Sequence, residues 1–187
     1  AYWWEHQPEA VTRQGQLAFM ESVGADPLLR GFSMPWRVQY HGVDSHRTQT
    51  AGEMHEEWTT PVGKLHFGNR LSPNGNTWFL VEHPVKTVED LKTLQWIYEH
   101  STVEHSPAAD EAWAETGERG LYLPLIGSEL KTCFQAMVER WVGTATLVYL
   151  LADAPEAVEE CLAAMRRISD QTAAYCAASR AEGFIFW

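Results

Sequence analysis

The chain has 187 residues, 45% of them hydrophobic, and nine are tryptophan. That suits one domain, or one domain with a small addition, with a substantial core, and argues against a disordered chain. With 14 Lys and Arg against 25 Asp and Glu, the net charge of -11 excludes a nucleic-acid binder that works by neutralising phosphates.

No apolar run approaches the roughly 18 residues of a spanning helix, so no membrane is expected as a partner. The opening AYWWEHQPEA lacks the basic and apolar regions of a signal peptide. Cys133, Cys161 and Cys176 are odd in number and widely spaced, which points to reduced, core-packed thiols in a cytoplasmic protein.

In chain order, PEAVTRQGQLAFMES (8–22) reads as a helix ended at Gly24, followed by the connecting segment GADPLLRGFSMPWR. VQYHGV (38–43) is a short strand. EMHEEWTT (53–60) and KLHFG (64–68) form a hairpin around Pro61-Val62-Gly63, where proline fixes the corner and glycine supplies freedom. SPNGN (72–76) turns again, because Asn-Gly readily takes positive φ, and TWFLVE (77–82) adds a third antiparallel strand. The meander alternates polar and apolar, as a sheet with one wet face should.

The period then changes. Thr87 caps a helix with Asp90 at the capping-box position, and Val88, Leu91, Leu94, Ile97 and Tyr98 make its buried face. STVEHSPAADEAWAETGERG (101–120) sustains no period and reads as surface chain. GLYLPLIG (120–127) is apolar enough for a strand covered on both faces. Ser128 is placed as the cap of a helix over 129–142, with Leu130, Phe134, Met137, Val138 and Trp141 inward. Asp153 opens a helix to about Arg180, with Pro155 just inside its start and a break near Ser169. GFIFW (183–187) returns to a strand. Strand, helix, helix and strand over 120–187 suggest a parallel βα arrangement, in which sites lie beyond the strand C-termini.

Few groups offer chemistry. His41 and His46 lack the spacing of a zinc pair, and Cys161 and Cys176 stand 15 residues apart on one helix. Glu82 and His83 adjoin at a strand end, but adjacent strand residues face opposite ways. Lys86 reads as a solvated charge. LIGSEL places Ser128 where a strand meets a helix N-terminus, a position that favours an anion. Trp187 ends FIFW on the Ile185 face and is a candidate pocket wall. Ser128 and Trp187 are therefore the candidate substrate-binding residues. No catalytic residue and no metal ligand is assigned.

TTPVGKL, EHPVKTVEDLKTLQWI, GLYLPLIGSEL, the WVG at 141–143, LADAPEAVEECLAAM and AEGFIFW occur in an order that resembles the uroporphyrinogen decarboxylase superfamily. The likeness is strongest to its cobalamin-dependent, methyltransferase-like members and covers about residues 53–187. The resemblance implies a TIM-type (β/α)8 barrel of about 250 residues or more. This chain would then be an incomplete barrel, its N-terminal half, with an antiparallel hairpin decoration. Residues 1–52 would form an N-terminal helix and strand region, and residues 53–187 the half-barrel, including the hairpin region 53–82. Only fold positions carry over: Thr60, Pro61 and Gly63 in the hairpin, and Glu82, Pro84, Lys86 and Asp90 at the helix start.

The arginine-rich and Phe-Ser-Asp segments of true decarboxylases are absent. The implied activity is transfer of a methyl group from a small methylated substrate to a corrinoid or thiol acceptor. Zinc and a corrinoid are implied for the full-length protein and none within this segment. The implied partners are a small-molecule substrate, a corrinoid protein and a second copy of the chain as a homodimer. Tetrapyrrole decarboxylation and a noncatalytic binding relative remain as alternatives.

Overall fold

The computed structural model describes residues 13–31 and 33–185. In chain order these form α1 (Arg13–Ser22), β1 (Leu28–Gly31), β2 (Trp36–Tyr40), β3 (Asp44–Gln49), β4 (Glu53–Thr60), β5 (Gly63–Leu71), β6 (Trp78–Glu82) and α2 (Val88–Glu99). There follow β7 (Ser101–His105), α3 (Ala108–Thr116), β8 (Leu121–Pro124), α4 (Cys133–Ala136) with a π-helical turn Met137–Trp141, α5 (Thr144–Asp153) and α6 (Pro155–Ala178).

The incomplete (β/α)8 barrel is not what these elements build. The described strands fall into three separate sheets: β1-β8, β2-β7 and β3-β4-β5-β6. Only β1-β8 is a parallel pair, and the other two sheets are antiparallel throughout. A barrel needs consecutive parallel strands joined by crossover helices. Here the hairpin turns at residues 61–62 and 72–76 fold the chain straight back on itself. The result is a mixed α/β fold in which the expected decoration is the largest sheet. The decarboxylase, lyase and corrinoid expectations were drawn through that barrel and lose its support. A trace of parallel arrangement remains where Leu125 bridges Ile185 with α4, α5 and α6 between them.

The hairpin β4-β5 has the expected turn, and its glycine has a different reason. A Cβ on Gly63 would lie 2.4 Å from Thr93 Oγ1 of α2. Close approach of the turn to the helix, not positive φ, requires glycine there. Thr60 Oγ1 closes the turn by donating to Gly63 O (2.9 Å) and accepting from the N–H groups of Val62 and Gly63.

The inner face of the four-stranded sheet carries Trp58, Leu65 and Phe67 into the main core, against Leu91, Leu94, Ile97 and Tyr98 of α2. Met137, Trp141, Leu147, Val158, Met165 and Ile168 close that core from the second half. Thr87 caps α2 as expected, and the capping box with Asp90 is complete. A smaller core of Leu17, Leu29, Ala109, Ala112 and Tyr122 surrounds the parallel pair. All three cysteines are free and buried, and burial pushes the Cys161 thiol up to about 12.

Several boundaries differ from the sequence reading. β3 was not expected: its six residues are all exposed, and it forms by pairing with β4. Residues 101–120 contain β7 and α3 rather than loose chain. β8 alternates buried and exposed positions, so only one face is fully covered. The helix placed over 129–142 begins at Cys133, because Thr132, not Ser128, caps it through Gln135 N–H (3.0 Å). α6 runs unbroken past Ser169. No helix among the described residues is long and apolar enough to cross a membrane.

Candidate functional site

The loop leaving β8 turns sharply, with Leu130 N–H donating to Gly127 O at 2.8 Å. Leu130 sits at φ 61, the one non-glycine residue with positive φ among the described residues. Such a conformation costs about 1–3 kcal/mol and persists only where surrounding structure holds it. Its two neighbours lie in different surroundings. Glu129 is buried, its side chain 1% exposed, and Lys131 pairs with Glu139 at the cleft's rim.

Glu129 meets two other elements. Tyr98 of α2 donates its hydroxyl to Oε1, and Arg140 of the π-helical turn places Nη1 3.5 Å from Oε2. That second oxygen is buried without a hydrogen-bond partner among the described residues. Burial pushes the Glu129 carboxyl above its usual value, and Arg140, Tyr98, Trp141 and Lys131 offset this only in part. The protonated form is thereby favoured, since removing a carboxylate from water is expensive. Tyr98 is pushed well above the ordinary phenol value by burial, then by Glu129 and Tyr40, so it remains a donor.

Arg140 is more accessible, its side chain 48% exposed, with its guanidinium 4.8 Å above the Trp141 ring. Trp141 is itself held by edge contacts with Trp58 (5.7 Å), Phe67 (5.5 Å) and Tyr98 (6.1 Å). The π-helical turn is fixed by the chain corner after β6. His83 Nδ1–H donates to Arg140 O at 3.2 Å, and Val85 N–H to Trp141 O at 2.9 Å. The corner thus occupies two main-chain carbonyls of the π-helical turn itself.

These residues open onto a cleft of about 390 Å³, a size that suits a small molecule. The sheet contributes Glu56, Trp58, Phe67, Asn69 and Leu80; the loop contributes Glu129 and Lys131; α4 and its continuation contribute Ala136, Glu139 and Arg140. The rim acids are already engaged. Glu56 accepts from Trp58 Nε1 (2.7 Å) and Arg47 Nη2 (2.8 Å), and Glu139 from Lys131 and Gln135. The cleft therefore combines an aromatic wall, a buried carboxyl with a free oxygen, and a partly exposed guanidinium.

Of the residues singled out from sequence, Ser128 adjoins Glu129 on the same loop. Its hydroxyl is buried without a partner among the described residues, and it does not line the cleft. Trp187 lies outside the described residues. Glu82 bonds Lys86, while His83 turns to the π-helical turn, so they form no acid–base pair. His41 pairs with Thr102 (2.8 Å), and His46 faces Glu57 across β3 and β4. Among the described residues no three His, Cys, Asp or Glu side chains are grouped to hold a metal. Sequence pattern alone places Glu129 in the first turn of a helix, which hides it as a site residue. Thr132 and Gln135, a Thr-x-x-Gln capping pair, were the signal that the helix starts later and leaves Glu129 in a loop.

No family model, curated protein or solved structure matches this chain.

Proposed function

We propose that the cleft is the small-molecule site of an enzyme in which Glu129 acts as general acid, and that the reaction is methyl transfer from a small methylated substrate. The observation that carries this reading is Glu129 itself: a carboxyl 1% exposed, with one oxygen held by Tyr98 and the other facing Arg140 without a hydrogen bond. The reaction class comes by resemblance from the ordered motifs of residues 53–187 and not from the fold, which is not that family's barrel.

In this scheme the methyl carbon leaves an oxygen or nitrogen for a nucleophilic acceptor. The broken bond's electrons stay on that heteroatom, which takes the proton from Glu129. A protonated carboxyl is the species such a step needs, and raised values near working pH serve it best. The carboxylate produced faces Arg140 at 3.5 Å, which offsets the charge as it forms. Tyr98 keeps the carboxyl in one orientation.

The test is turnover of small methyl ethers and methylamines with a thiol acceptor, following the demethylated product. Glu129→Gln should lower the rate by about 10²–10⁴, and the wild-type rate should fall as pH rises through the Glu129 value. Full activity in the Gln variant, or no demethylation of any compound, would sink the proposal.

A further inference from the structure

Arg140 carries more hydrogen-bonding capacity than the protein uses. A guanidinium offers five N–H donors in a planar fork. Glu129 Oε2 lies 3.5 Å from Nη1 without hydrogen-bond geometry, and Glu129, Tyr40, Tyr98 and Glu56 act on the guanidinium through space. Arg140 is immobilised from behind by stacking on Trp141 (4.8 Å) and, through its own main chain, by His83. It lines the same cleft as Trp58 and Phe67.

The other charges around the cleft are internally balanced. Glu56 is bonded to Arg47, and Glu139 to Lys131. Among the lining charges, Arg140 and Glu129 are the two that share no hydrogen bond with a counter-charge, standing 3.5 Å apart. A pre-oriented guanidinium beside apolar rings recognises a planar anion through paired N–H···O bonds. The rings give a flat ligand face somewhere to lie.

We infer that the cleft binds a small, flat, singly charged anion, a carboxylate or sulfonate on a ring, with the anionic group on Arg140 and the ring against Trp58 and Phe67. This deepens the functional reading above and rests on it for the assignment of the cleft as the substrate site. It makes Arg140 the residue that selects substrates by charge.

The experiment is calorimetric titration of the protein with benzoate, benzenesulfonate, benzamide and benzylamine, repeated on Arg140→Lys and Arg140→Gln. Benzoate or benzenesulfonate should bind saturably, and benzamide at least about tenfold more weakly. Benzylamine should not bind. Arg140→Gln should lose at least about tenfold in benzoate affinity, and Arg140→Lys should lose part of it, because a lysine keeps the charge without the fork. Should the Gln variant fail to fold, the Lys variant and the benzamide comparison still decide. Equal binding of benzamide, preference for benzylamine, unsaturable benzoate binding, or wild-type affinity in Arg140→Lys would each overturn the inference. Benzoate binding as stated, with no methylated ring compound demethylated, would remove the proposed reaction and leave the anion site standing.

Discussion

Glu129 binds a proton more tightly in the folded chain than in the unfolded one, and stability must report the difference. Its carboxyl is raised from the ordinary 4.5 by burial. The contribution is present in full below about that value and is lost as pH rises through the higher folded value. Glu129→Gln keeps the shape and removes the titration. Urea unfolding midpoints compared from about pH 4 to 8 should show the variant gaining on the wild type as pH rises, then running parallel to it. Curves parallel from the start would mean that Glu129 titrates normally. The same residue marks where sequence reading stopped: SEL gives no hint of burial, because an acid before a helical pattern reads as a helix-terminus charge. Glu129 is buried in a loop whose next residue, Leu130, takes φ 61, a conformation that no residue type announces.

At the scale of elements, the corner after β6 was legible as punctuation and not as support. The Glu-His-Pro run marks the end of a strand and the approach to a capped helix, and β6 and α2 stand on either side of it. Its second role, holding the π-helical turn, depends on His83 meeting a segment 57 residues away, beyond the reach of local pattern. Gly143 shows how tight that meeting is. It sits at φ 80, and a Cβ there would lie 2.7 Å from His83 Cδ2. Gly143→Ala should destabilise by more than about 1 kcal/mol, since it adds left-handed strain to a clash. It should also displace Arg140 by pushing His83 from its carbonyl. A shifted denaturation midpoint together with weakened anion binding would agree. An unchanged midpoint would show that the corner yields freely.

For the whole molecule, local features were readable and their assembly was not. The hairpin turns, the capping box, the apolar face of α2 and the long last helix all follow from spacing and residue type. Sheet membership does not: β3 is entirely exposed, and β2 pairs with β7 across the whole of residues 41–100. The parallel arrangement expected over 120–187 survives as one bridge between Leu125 and Ile185. The antiparallel meander became the principal sheet because its turns close locally, at low entropic cost. The cleft forms where that sheet meets the β8 loop and the π-helical turn, three regions that no single motif joins. Its chemistry is therefore a property of the assembled fold.

The most direct measurement is an NMR titration of the side-chain carboxyl carbons in glutamate-labelled protein, with Glu129→Gln identifying the Glu129 signal. Hydrogen bonds from Lys86 to Glu82 and from Lys131 to Glu139 hold those two carboxyls below the usual range. At Glu56, burial pushes upward, but hydrogen bonds from Trp58 and Arg47 outweigh it and leave the value lowered. Glu129 should titrate apart from all three, above 4.5. A Glu129 signal that moves with them, or at lower pH, would contradict the account of this residue as the proton donor of the cleft.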